Sequence, residues 1–157
     1  MAKQLSDLAK DLRAGLELGL EKATHDLVME MKDIGPYWTG EFEAAWEVVP
    51  GQQLRQSTKA GMSVRDVDFD GPAARQVTAV SVPLTTLEAG YTIYNDMEYA
   101  DKAMDLEPGP DGVYRGERPR ETSKTGRDWF ERFILGGEAY DVLGNGVEAG
   151  LRIAGFR

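Results

Sequence analysis

Residues 5–36 read LSDLAKDLRAGLELGLEKATHDLVMEMKDIGP, and this stretch decides the fold. Leu5, Leu8, Leu12, Leu16, Leu20, Ala23, Leu27 and Met31 recur at steps of three and four residues. That spacing puts side chains on one face of a helix. Ser6 stands where an N-cap belongs, although no Glu or Gln follows at the capping-box position. Gly35-Pro36 ends the run, because a proline disfavours helical backbone in the residue before it. At about 1.5 Å per residue a helix from Ser6 to Asp33 is roughly 40 Å long. A chain of 157 residues folds into a domain only about 30 Å across. Part of the helix is therefore expected to overhang, or to pack on another subunit.

Beyond the helix the period changes. Trp46 and Val48 alternate with Glu47, and Pro50-Gly51 supplies a turn. The pattern predicts a strand over Glu43–Val49 and a return over Gln52–Ser57. A further strand is predicted over Gln76–Val82, stopped by Pro83, and another through Tyr91, Ile93 and Asn95. A short helix is expected from Met97 or Glu98 to just before Pro108.

Residues 107–125 hold three prolines, three glycines and many charges, and read as a long exposed arm. Helical spacing then resumes through Trp129, Phe130 and Phe133 to a break at Gly136-Gly137. A last helix carries Tyr140, Leu143, Val147, Leu151 and Ala154. Gly144, Gly146 and Gly150 weaken it, each by about 1 kcal/mol against alanine. The organisation expected is one α+β domain over residues 1–157. A helix at about 5–33 is followed by a small, mostly antiparallel sheet within 43–95, the arm at 107–125, and C-terminal helices within 126–154.

Composition excludes more chemistry than any motif suggests. There is no cysteine and one histidine, His25, so disulfide scaffolds, thiolate nucleophiles and multi-histidine metal sites are ruled out. Eighteen Lys and Arg stand against 27 Asp and Glu, a net charge of −9, which disfavours general binding to nucleic acid or anionic lipid. No secretory leader is evident at the N-terminus and no run of about 18 apolar residues occurs. A soluble, cytosol-like protein is expected.

Four features bear on chemistry. Asp66, Asp68, Asp70 and Gly71 match the first half of a calcium loop, but the bidentate Glu required at the twelfth position is Val77. The favoured reading is an acidic turn, with a monomeric calcium-binding domain as the alternative from another functional class. Gly144, Gly146 and Gly150 lack the spacing and the preceding strand of a dinucleotide loop. His25 lies off the leucine stripe, and no G-x-S-x-G elbow exists for it to serve. Between Arg115 and Arg132, six cations and four anions leave +2, which suits pairing with an acidic neighbouring subunit better than gripping DNA.

The order of features resembles a known family. A long amphipathic helix ends in P-x-x-T-G (Pro36, Thr39, Gly40), and Phe42 and Trp46 lead into strands. An N-x-x-x-Y-A element follows (Asn95, Tyr99, Ala100), then an acidic-glycine turn (Glu107, Gly109) and a basic-proline element (Arg118-Pro119-Arg120) before the C-terminal helix. This is similar to the small neck and tail-completion proteins of tailed bacteriophages, the minor tail components of lambda-like phages. DKAMDLEP between Tyr99-Ala100 and the glycine turn, and residues 57–74, depart from the family pattern.

The resemblance implies a non-catalytic structural protein of the virion, without cofactor, assembled in the bacterial cytoplasm. It implies a homo-oligomeric ring, a hexamer, at the head-proximal end of the tail. The ring would act as tail completion or tail terminator, or as a head-closure connector. Partners would be tail-tube and head-connector proteins, with DNA only as passing cargo. Interface residues on this reading are Trp46, Asn95, Tyr99, Arg115, Arg118 and Arg120. An acidic channel wall would let DNA pass without holding it.

Overall fold

The structure is a computed structural model that describes residues 4–35, 40–53, 77–97, 100 and 129–156. Among the described residues six elements follow in order: helix α1 (Leu5–Ile34), a helical turn α2 (Glu41–Ala44), strand β1 (Trp46–Pro50), strand β2 (Tyr91–Asn95), and helices α3 (Trp129–Leu135) and α4 (Glu138–Ile153). The architecture is α+β, with the long first helix packed on a small antiparallel sheet and on the C-terminal helices.

Helix α1 starts at Leu5, as the sequence suggests, but with a different cap. Gln4, not Ser6, is the N-cap, and no side chain caps the helix there. At the other end the Gly35 amide bonds the Met31 carbonyl at 2.9 Å and closes the last turn. Thirty residues make the helix about 45 Å long.

Only its C-terminal half carries the core. Leu27, Val28, Met31 and Ile34 are buried with Phe42, Trp46, Val48, Trp129 and Phe133. Phe42 meets Trp46 and Trp129 edge to face, with ring centroids 5.8 and 6.3 Å apart. Such pairs add about 0.5–1.5 kcal/mol each beyond the area they bury. In the N-terminal half the leucine stripe is not the buried face. Gly15 and Gly19 are buried and Leu16 is half-buried, whereas Leu5, Leu8 and Leu12 are exposed.

The reason lies in how α4 packs. It runs antiparallel to α1, with Ala154 against Gly15, Gly150 against Gly15 and Gly19, and Gly146 against Ala23. Small residues four apart on both helices form a seam of close backbone approach. A methyl group added at Gly15 would lie 2.7 Å from Ala154 Cβ, and one at Gly150 would lie 2.6 Å from the Gly15 carbonyl oxygen. The glycines that weaken α4 by propensity are thus what lets it dock. Leu143, Val147 and Leu151 flank the seam half-buried, and Tyr140 is exposed. The break before α4 falls at Gly136-Gly137 as expected. Gly137 takes a φ of +99°, a left-handed conformation that disfavours side chains with a Cβ.

β1 and β2 pair antiparallel in the register Trp46↔Asn95, Val48↔Ile93 and Pro50↔Tyr91. A two-stranded ribbon is marginal alone, and this one is held by burying Trp46 and Val48 in the core. Three strand expectations need correction. Glu43 belongs to the helical turn, so β1 starts at Trp46; Gly40 at φ +85° redirects the chain before the turn. Gln52 and Gln53 do not return along β1; its partner is β2, and the Gln53 amide donates to Thr92 Oγ1 instead (2.9 Å). Residues 77–82 are not in a strand. They form an extended strap whose Val80 and Val82 pack on the core, so alternation there reflects contact with a helix and sheet rather than a ladder.

The arm at 107–125 and nearly all of the helix expected before Pro108 lie outside the described residues. Met97 is buried but not helical. Among the described residues no helix is long and apolar enough to cross a membrane.

Candidate functional site

The strap, continued to Glu88, lies along α1 and is tied to it near both ends. At the first tie, Lys32 and Glu43 are each only 2% exposed and their charges lie 3.2 Å apart. Lys32 Nζ donates to the Thr78 carbonyl oxygen (2.8 Å) and to Thr78 Oγ1 (2.9 Å). Glu43 Oε1 accepts from the Thr78 amide (2.7 Å) and from its hydroxyl (3.0 Å). Midway, the Tyr91 hydroxyl donates to the Pro83 carbonyl (2.6 Å). At the far end, Arg13 Nη2 pairs with Glu88 Oε2 at 2.6 Å and Nε with Glu17 at 3.2 Å. Nineteen positions separate Arg13 from Lys32, so the strap follows about 28 Å of helix.

The local sequence explains the first tie. Thr24, Val28 and Lys32 are four apart, and all are buried, so Lys32 enters the interior where an apolar residue would otherwise stand. A buried charge persists only if paired and hydrogen-bonded. Glu43 supplies the charge from the α2 turn, and Thr78 supplies the remaining partners. An ammonium has three donors, and here all three have acceptors within reach. The arrangement is a clasp that fixes the strap, with no proton or nucleophile set toward an open space. The signal in the sequence was a lysine on the buried helical register, and it was not read.

Two other polar features position the chain. Asn95 is buried; its amide donates to the Phe42 carbonyl (2.8 Å) and its oxygen accepts from the Met97 amide (3.1 Å). It therefore stitches the end of β2 to the α2 turn. The Tyr94 hydroxyl donates to Glu47 Oε2 across the strand pair (2.5 Å). Trp46, opposite Asn95, is held by ring packing, its Nε1 buried without a hydrogen-bond partner.

Burial pushes the Tyr91 hydroxyl above its ordinary range, and the charge of Glu21 adds to this. For Asp26, burial raises the carboxyl, but hydrogen bonds from Lys22 and His25 and their charges outweigh it and leave it below its ordinary range. His25 sits 3.2 Å from Asp26 on the helix surface, 44% exposed.

The residues expected at an interface divide into two groups. Trp46 and Asn95 are each 5% exposed and serve the interior of this chain, so neither offers a surface to a neighbour. The aromatic and the amide read as contact groups are needed where a strand meets a helical turn. Tyr99, Arg115, Arg118 and Arg120 lie outside the described residues, as do Asp66, Asp68 and Asp70 of the weak metal motif. Among the described residues, no three His, Asp or Glu side chains converge as metal ligands would. Surface apolar groups are the feature that sequence reading missed. Leu5, Leu8, Leu12, Leu18, Leu84, Leu87, Leu135, Tyr140 and Ile153 are all exposed. Comparison with known protein families, with characterised proteins and with solved structures matches none of them.

Proposed function

We propose that this chain is a structural virion protein of a tailed bacteriophage. On this reading it forms a homo-oligomeric ring at the neck, at the head-proximal end of the tail, as tail completion or tail terminator. The finer alternative is a head-closure connector ring. One observation carries the reading: α1 continues about ten residues past Gly15, where the end of α4 stops covering it, and presents Leu5, Leu8 and Leu12 to solvent. That is the form of a subunit completed by neighbours rather than of an independent enzyme domain. The order of motifs around Gly40, Asn95 and Ala100 supports the same class, as does a net charge of −9 on a wall that DNA passes.

The test is genetic and structural. In a phage carrying this gene, a nonsense mutation is expected to leave filled heads and tails unjoined, or tails with unfinished ends, visible by negative-stain microscopy. Purified protein added to the lysate is expected to restore joining. Infectious, complete virions made without the protein refute the reading.

A further inference from the structure

The exposed apolar groups are not spread evenly. Five of them gather at one end of the molecule. Leu5, Leu8 and Leu12 lie on the overhang of α1. Ile153, 71% exposed, precedes Ala154, which packs on Gly15 at the root of that overhang. Leu87 precedes Glu88, which Arg13 holds. At the other end of α4, Leu135 and Tyr140 are 75% and 72% exposed on either side of the Gly136-Gly137 corner. Fourteen residues of helix, about 21 Å, separate Tyr140 from Ala154, so the two patches face opposite ends of the α1–α4 pair. Clustered exposed apolar groups of this kind mark an interaction surface.

We infer that the overhang, residues 5–14 of α1, docks on the Leu135–Tyr140 corner of a second copy of this chain. This deepens the ring reading and rests on it. Charge selects the occupant. Among the described residues the corner carries the exposed acids Glu131, Glu138 and Asp141 against Arg132, so corner-to-corner contact sets acid against acid. The overhang carries Lys10 and Arg13 against Asp7 and Asp11, with Arg13 paired to Glu17 and Glu88, so it meets the corner with less like charge than a second corner would. Overhang-to-overhang contact would leave Leu135 and Tyr140 uncovered, whereas overhang-to-corner contact covers both patches of every subunit. Such a contact is heterologous: each copy gives one surface and receives another, and repetition closes a ring if the rotation allows.

The test is a half-site complementation with the full chain. Leu8→Glu/Leu12→Glu disables the overhang, and Leu135→Lys/Tyr140→Lys disables the corner. All four positions are on the surface, so each variant should show a single cooperative melt by circular dichroism, below that of the multimeric wild type, which confirms that it folds. By light scattering, wild type is expected to form multimers and each variant alone to be a monomer. Mixed in equal amounts, the variants share one intact contact and should give a heterodimer that grows no further. Persisting multimers in either variant overturn the inference, as does a wild type that is monomeric at every concentration. A mixture that stays monomeric also overturns it, because an intact overhang then fails to bind an intact corner. Failure here is separable from failure of the ring reading. Rings that survive the substitutions remove this contact and leave the ring. A heterodimer from the variants, with wild type growing into open filaments, keeps the contact and removes the ring.

Discussion

Gly150→Ala and Gly144→Ala are the same chemical change in the same helix, and the structure predicts opposite signs. Both replacements gain about 1 kcal/mol of helix propensity. At Gly144 nothing lies within 4 Å of the added methyl, so the gain is kept. At Gly150 the methyl would lie 2.6 Å from the Gly15 carbonyl oxygen, and the nearest groups are the Gly19 backbone nitrogen and Cα. These are backbone atoms of a packed helix and have no rotamer to escape into. Favourable contact between heavy atoms needs about 3.5–4.0 Å, so the helices must part by about 1 Å. A gap of that size forfeits about a quarter to a half of each dispersion contact it opens, and it opens along the whole seam. Overpacking typically costs about 1–3 kcal/mol, and the rigid neighbours place this site at the upper end. The net is a loss of about 2 kcal/mol for Gly150→Ala. For a chain of this length the melting temperature moves by about 2–4 °C per kcal/mol. Gly150→Ala is expected to melt about 4–8 °C lower and Gly144→Ala about 2–4 °C higher, measured by calorimetry or circular dichroism. If Gly150→Ala melts at or above wild type, α1 and α4 do not meet backbone to backbone and the packing argument fails.

Two further outcomes follow from the ties on the strap. Lys32→Met leaves the Glu43 carboxylate buried and unpaired, and is expected to cost about 3–5 kcal/mol in urea unfolding, whereas Lys32→Met/Glu43→Leu should cost far less than the sum of the single changes; additive losses would mean the charges do not interact. Tyr91 titrates above its ordinary range, so the folded state holds the phenol proton more tightly than the unfolded chain. Its stabilising contribution is full below about pH 10 and falls as the pH rises through the folded value; Tyr91→Phe should flatten that alkaline fall, and an unchanged profile would show that burial and the Glu21 charge do not hold the phenol proton.

Where the sequence was legible, one physical signal dominated locally. The period of α1, its stop at Gly35-Pro36, the Gly136-Gly137 break and the Tyr91–Asn95 strand each follow from short-range rules. The misreadings arose where tertiary contact set the pattern. Leu5, Leu8 and Leu12 are periodic, and periodicity shows that a face is apolar without showing what covers it. The contact line of α1 is marked by Gly15 and Gly19, residues that carry no hydropathy signal, so the stripe was read through the leucines beside it. Val80 and Val82 alternate as strand residues do because the strap lies on a surface, with no ladder involved. Trp46 and Asn95 were read as contact groups, yet an aromatic and an amide at a junction of strand and turn satisfy an interior equally well.

The uneven covering of α1 has an energetic consequence. In its C-terminal half, large side chains fill space between elements. In the middle, glycines replace side-chain packing with backbone approach, and that close seam ends where α4 ends. The ten residues beyond it form a helix shorter than the about 12–15 residues at which isolated helices become even marginal in water. Alone, that segment gains little from propensity and nothing from packing its leucines. Burying a leucine fully is worth about 1.5–3 kcal/mol, so Leu5, Leu8 and Leu12, which are 84%, 44% and 40% exposed, together withhold roughly 2.5–5 kcal/mol. Whole domains are stable by only about 5–15 kcal/mol. A reserve of that size, held on three exposed residues at one end, is large enough to drive association between copies. It also makes the helical order of residues 5–14 depend on whether a neighbour is present.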